Sequence, residues 1–236
     1  MQFQSKLQQA KLIKRYKRFL VDIETSQGEI TIHCANTGRM TGCADFGFTA
    51  YYSTSSNAKR KYPHSLELTQ NLVGDLICVN TSMANHVVAE AITQQKIPEL
   101  LNYDTLKQEV KYGDENSRID ILLSDAEKPA CYIEVKSVTL LEENDKGYFP
   151  DAVTARGSKH LRELVTMKQQ GHRAVLFFLI QHTGIKSVAP AAHIDANYAM
   201  EIKKALAAGV EILCYRTNIS SEQIVIDKTI PFVAPQ

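Results

Sequence analysis

What this chain lacks narrows its chemistry first. It has no C-x-x-C pair, and its five cysteines, Cys34, Cys43, Cys78, Cys131 and Cys214, cannot close a complete set of intrachain disulfides. A reducing, cytoplasmic setting is therefore expected. The N-terminal stretch carries no apolar core of about 7–15 residues ahead of a small-residue cleavage site, so no secretory leader is expected. The longest uninterrupted apolar run, Ala174 to Ile180, is too short to span a bilayer and reads as a buried strand; no membrane partner is expected. There is no P-loop, no G-x-G-x-x-G and no G-x-S-x-G elbow, which leaves an enzyme acting directly on a sugar or sugar phosphate without strong support. An excess of one charge is also missing: 27 Lys+Arg stand against 26 Asp+Glu, so the protein is not uniformly basic.

What is present is an ordinary globular composition, 44% hydrophobic and 22% charged over 236 residues, enough for one large domain or two modest ones. The charge is unevenly placed. Residues 1–80 hold ten Lys+Arg against six Asp+Glu, net +4, while the remainder is net −3. In the first part, Leu12 to Glu24 and Glu29 to Ala35 read as strands joined by a Ser26-Gln27-Gly28 turn, and Phe48 to Ser53, Ser65 to Thr69 and Asp75 to Asn80 add three more. About five short strands without a helix suggest a small barrel over 1–80, of which the oligonucleotide-binding (OB) type is one form. Beyond Asn80 the pattern becomes mixed α/β. Helices are expected from Thr81 or Ser82 to about Gln95, Ser158 to Gln170 and Ala196 to Ala208, with strands at Tyr103 to Tyr112, Arg118 to Leu123, Cys131 to Val138, Arg173 to Gln181 and Val210 to Tyr215.

The most informative segment is Arg118-Ile119-Asp120-Ile121-Leu122-Leu123 followed by Cys131-Tyr132-Ile133-Glu134-Val135-Lys136. Alternation along a strand puts Glu134 and Lys136 on one face and Ile133 and Val135 on the other. A hairpin centred on Glu127 places Asp120 opposite Glu134. Like charges at that spacing repel, and a hard divalent cation, Mg2+ or Mn2+, relieves the repulsion using one or two carboxylates and a substrate phosphate. Lys136 then lies beside the ion, where its charge can orient a water or stabilise a phosphoryl group. The competing reading makes these three residues ordinary surface charges. Glu90, on the first helix, is either a further carboxylate of the site or a solvated helical glutamate.

Asp, then Glu-x-Lys on a neighbouring strand, then a helix and a buried strand, resembles the PD-(D/E)XK nuclease superfamily, although Ile119 stands where that superfamily's name expects proline. Longer matches run through the chain: Asn36-Thr37-Gly38-Arg39-Met40, Arg60-Lys61-Tyr62-Pro63, Glu109-Val110-Lys111-Tyr112-Gly113, Ser117-Arg118-Ile119-Asp120, Tyr132 to Val138, Phe149-Pro150-Asp151-Ala152, Arg156-Gly157 and Lys159-His160-Leu161. On these segments the chain closely resembles the sugar fermentation stimulation protein A family (SfsA); Ala35 departs from the proline common before the Asn-Thr-Gly turn. The resemblance implies an OB-like domain over 1–80, a PD-(D/E)XK nuclease-like domain over 81–236, DNA binding without sequence specificity, and a regulatory link to sugar metabolism, maltose in particular. It leaves two functions open: a Mg2+- or Mn2+-dependent phosphodiesterase, or a DNA-binding regulatory factor without turnover.

Lys6, Lys11, Lys14, Arg15, Lys17 and Arg18 precede any acidic residue, and Arg39 with Lys59, Arg60 and Lys61 forms a second basic cluster. Both suit a phosphate backbone of single- or double-stranded DNA. Tyr16, Phe19, Tyr51, Tyr52 and Tyr62 among them suit base stacking, or else fill the barrel core. Leu141 to Gly157 reads as a long loop. Arg156, Lys159, His160 and Arg162 follow at the start of the next helix, where cations oppose the helix dipole; an anionic ligand or an exposed cationic face accounts for them equally. His160 is placed to position a water or phosphate. The other histidines show no metal-ligand spacing. Oligomeric state is left open.

Overall fold

Short strands whose apolar residues alternate with polar ones bury one face each, and the first six do so around a common axis. In the computed structural model, which describes residues 1–113, 115 and 117–235, they are β1 (Gln8–Tyr16), β2 (Leu20–Thr25), β3 (Gly28–Cys34), β4 (Thr49–Thr54), β5 (His64–Gln70) and β6 (Leu76–Cys78). Neighbours run β3-β2-β1-β4-β5, and parallel pairing of His33 with Ser65 and Cys34 with Leu66 joins β3 to β5. This closes a five-stranded OB-like barrel, as expected, with β6 appended to β5. Leu12, Val21, Ile23, Ile32, Ala50 and Leu66 fill its interior.

The expected single strand from Leu12 to Glu24 is instead two, folded back at Lys17 (φ 48°) and Arg18 (φ 66°). Neither residue is a usual left-handed turn former, so the turn carries no sequence signal. It is held from outside by Arg15, whose guanidinium donates to the Arg18 carbonyl at 2.6 Å.

The rest of the chain supplies α1 (Met83–Thr93), β7 (Thr105–Tyr112), β8 (Ser117–Ser124), β9 (Cys131–Val138), β10 (Leu140–Glu142), β11 (Lys146–Phe149), α2 (Ala155–Gln169), β12 (Arg173–Ile180), β13 (Ser187–Pro190), α3 (Ala196–Ala207), β14 (Glu211–Ile219) and β15 (Ile224–Thr229). The main sheet has the order β15-β14-β12-β9-β8-β7, with β12 parallel to both β9 and β14 and the outer pairings antiparallel. Its faces are covered differently. Val175, Phe177 and Leu179 of β12 pack with α1, while Leu176, Phe178 and Ile180 pack with α2 and α3. A strand buried on both sides must be apolar throughout, which explains the uninterrupted run from Ala174 to Ile180. This is the mixed α/β, PD-(D/E)XK-like arrangement expected.

The segment Leu141 to Gly157 departs from the expected long loop. Leu140 to Phe149 forms the hairpin β10–β11, and β11 pairs in parallel with β13 to give a separate three-stranded sheet. Strand pairing between segments forty residues apart has no local periodicity to announce it. The α2 helix also starts earlier than its apolar spacing suggests, because the Thr154 hydroxyl accepts from the Gly157 N–H at 3.0 Å and caps it. The edge strand β15 has no counterpart among the expected elements.

Candidate functional site

The β8–β9 hairpin sets the site. Ile121 faces Ile133, Leu122 faces Tyr132 and Leu123 faces Cys131, the register expected from a turn centred on Glu127. The ladder stops there. Instead of continuing it, the Val135 N–H donates to Asp120 Oδ2 at 2.7 Å, so Asp120 ends the pairing with its own side chain. Ile119 and Ile121, two apart on β8, belong to opposite core faces, so the normal alternation breaks at Asp120.

Glu134 and Lys136 share a face. The Lys136 ammonium donates to Glu134 Oε1 at 2.5 Å, and His160, from α2, contacts the same oxygen through Nδ1. Arg156 Nε donates to His160 Nε2 at 3.3 Å. Glu134 is only 2% exposed. Burial pushes its carboxyl up, but the Lys136 charge and the His160 hydrogen bond outweigh burial and hold it below the ordinary value. Asp120 goes the other way: burial and the negative charge of Glu134 raise it to about 6 despite Lys136 and its own hydrogen bonds. Asp120 thus senses the Glu134 charge, and the two carboxyls are shifted in opposite directions.

A divalent cation fits this donor set. Glu134 Oε2 is a buried carboxylate oxygen with no hydrogen-bond partner among the described residues, an arrangement that is costly unless something positive meets it. No group of three or more His, Cys, Asp or Glu side chains converges among the described residues, so the protein would supply two carboxylates and leave the remaining positions to water or phosphate.

The helix contribution differs from the one expected. Asn85 Nδ2 of α1 donates to Asp120 Oδ1 at 2.8 Å. Glu90, five residues on and therefore turned by about 140°, pairs with the Met1 amino group and makes no hydrogen bond to Asp120, Glu134 or Lys136 among the described residues. An asparagine in the first turn of an amphipathic helix offers little signal by itself, which is why Asn85 escapes a sequence reading.

Asn85 and Lys136 also line a cleft of about 290 Å³ between the barrel and the second domain, together with Asn36, Thr37, Ser137 and Asp151. The Asn36-Thr37-Gly38-Arg39 turn is fixed there by Arg15, which donates to the carbonyls of Asn36 and Gly38, each at 2.8 Å, and of Arg39 at 3.3 Å. Arg15 is thus engaged within the fold. Lys17, Arg18, Arg39, Lys59, Arg60 and Lys61 stand exposed on the barrel, with Arg60 also donating to Ser65 at 3.0 Å. Lys14 is exposed and 3.4 Å from Asp22. Tyr51 and Tyr52 are buried, Phe19 is exposed and Tyr62 lies under Lys61. On α2, Arg156 is exposed, and Lys159 donates to the Glu115 carbonyl.

Comparison with known proteins agrees with this architecture. Residues 13–79 match the SfsA N-terminal OB domain, and residues 82–223 match the sugar fermentation stimulation protein RE domain. The chain is 58% identical to the sugar fermentation stimulation protein homolog of Pseudoalteromonas translucida (strain TAC 125), over 99% of this chain and 100% of that one. It is 57% identical to the homolog of Aeromonas hydrophila subsp. hydrophila, over 98% and 95%. Among solved structures, that of Pyrococcus furiosus SfsA in complex with Ca2+ superimposes with a TM-score of 0.87 at 24% identity, over 99% of this chain and 98% of that one. From its two matched domains and its relatives alike, the chain belongs to the sugar fermentation stimulation protein (SfsA) family.

Proposed function

We propose that this protein binds DNA without sequence specificity and hydrolyses phosphodiester bonds at Asp120, Glu134 and Lys136 with Mg2+ or Mn2+. Residues 1–80 grip the strand and residues 81–236 carry the reacting centre. The observation that carries the reading is the buried oxygen of Glu134, unpartnered among the described residues, beside a second carboxylate and a lysine, next to the cleft at the domain junction.

In this reading Asp120 and Glu134 hold the ion, which when bound neutralises phosphate charge and lowers the pKa of its water. The Val135 N–H and Asn85 amide fix the Asp120 carboxylate, so little reorganisation is needed when it binds. His160 holds the Glu134 carboxylate in place and is a positioning residue. Lys136 supplies a positive charge where negative charge develops on the phosphate. The Ca2+ in the Pyrococcus furiosus relative supports an oxygen-ligated cation in this family.

The test is cleavage of single- and double-stranded DNA in Mg2+ or Mn2+ by wild type and Asp120→Ala. Loss of activity by about 100-fold or more in the variant is expected. Equal cleavage by both, or none by wild type with either metal, rejects the hydrolase. A second reading, a DNA-binding regulatory factor of sugar metabolism, maltose in particular, without turnover, is favoured by one feature. Lys136 and His160 already satisfy one Glu134 oxygen, so much of the cluster is held together by the protein alone.

A further inference from the structure

A second cleft, of about 400 Å³, opens against α2 and shares no lining residue with the one at the domain junction. Lys111, Arg118, Arg156 and Lys159 line it, with Glu109 as its single acidic wall residue among the described residues and His160 connecting it to Glu134. Three elements contribute cations in placements that work against the fold. Lys111 of β7 and Arg118 of β8 are direct register partners, and like charges directly opposed across an antiparallel pair repel. Both are exposed, and neither has an ion-pair partner among the described residues. Arg156 and Lys159 lie within the first five residues of α2, whose first turn has no acidic residue, so their charge opposes the helix dipole. Arg156 uses Nε on His160 and keeps its terminal amino groups free of protein acceptors among the described residues.

We propose that this cleft is a phosphate subsite: it takes the phosphate next to the one that reacts at Asp120 and Glu134. The assignment rests on reading that centre as nucleic-acid processing. A bound phosphate supplies the negative charge that the Lys111/Arg118 pair and the start of α2 both lack. The ligand is either an internal phosphodiester or the phosphomonoester of a strand end; the chemistry recognised is the same.

Binding is measured on the full chain by fluorescence anisotropy with a 12-nucleotide single-stranded DNA in chelator, so that no turnover is needed. The variant is Lys111→Gln with Arg118→Gln, and the control is Lys203→Gln with Lys228→Gln, which removes equal charge elsewhere on the surface. The subsite predicts affinity about 5-fold or more lower in the first variant and little changed in the control, with the magnitude of the salt slope reduced by about 0.7 for one phosphate no longer neutralised. It also predicts that the ligand-free variant has an equal or higher Tm, because a repulsive pair has been removed. Equal losses in variant and control, unchanged affinity, or a lower Tm in the ligand-free variant overturns it. Repeating the titration with and without a 5′-phosphate separates the two sources. If the variant's defect vanishes without that group, the cleft holds a strand end; if it persists, the cleft holds an internal phosphate. Inorganic phosphate is the second probe, and it should raise the Tm of wild type more than that of the variant. That result reads the subsite independently of cleavage, so an inactive centre with an intact phosphate effect rejects only the hydrolase reading.

Discussion

Asp120 accepts hydrogen bonds at both oxygens and still has its pKa raised to about 6, because burial and the Glu134 charge outweigh them. The raised value has a defined sign for stability. Between its ordinary value of 3.8 and about 6, Asp120 binds more proton in the folded chain than in the unfolded one, so its contribution to metal-free stability falls as pH rises through that window. Glu134, held below its ordinary 4.5, acts oppositely and at lower pH, losing its contribution only as pH falls through its depressed value. Asp120→Asn is therefore expected to flatten the decline in unfolding free energy between about pH 4 and 6, read by urea denaturation in chelator at several pH values; an unchanged slope would contradict the raised pKa. At the same scale, cations divide by partner. Arg15→Gln leaves several backbone carbonyls without a donor and should cost about 2 kcal/mol, whereas Lys59→Gln, at an exposed site, should stay within about 0.5 kcal/mol, both by urea denaturation. A similar loss from both would mean that Arg15 does not hold the turn.

At the scale of elements, helix starts organise the second domain. Asp195 caps α3 by accepting from the Tyr198 N–H at 2.9 Å, and its other oxygen accepts from the N–H of Thr154, itself the cap of α2, at 2.8 Å. One buried carboxylate thus ties together the beginnings of two helices that pack side by side on the sheet. Asp195→Ala is expected to lower stability by about 2 kcal/mol at constant denaturant m-value, more than a cap serving one helix, while Asp195→Asn should lose less. A shift no larger than that of Thr154→Ala would show that the shared cap adds nothing. Elements are the most legible level of this chain. The helical spacing of Val87, Val88 and Ala91, the apolar run in β12 and the β8–β9 register all follow from patterns within a few residues. The β1–β2 turn at Lys17 and Arg18 and the sheet of β10, β11 and β13 are not legible, because each depends on partners distant in the chain.

For the whole molecule, the near-neutral charge conceals a division between a barrel of net +4 and a remainder of net −3 that contains the two carboxylates of the site. Neutralising Lys59, Arg60 and Lys61 together should weaken DNA binding and lower the magnitude of the salt slope by about 0.7 for each single-strand phosphate that the barrel no longer neutralises. A salt response that is flat in wild type, or unaltered in the triple variant, would rule out the barrel as an electrostatic grip. Sequence by itself determined most strands and helices and the shared face of Glu134 and Lys136, since alternation and helical spacing fix where a side chain points relative to its own element, while its matching segments gave the resemblance that implied the family and the two domain types. Only the tertiary structure decided which elements meet: Asn85 rather than Glu90 beside Asp120, His160 on Glu134, and Arg15 turned inward onto the Asn36 turn. These pairs join residues 21 to 35 positions apart, and they arise from how helices cross the sheet and how the barrel closes, which no local pattern encodes.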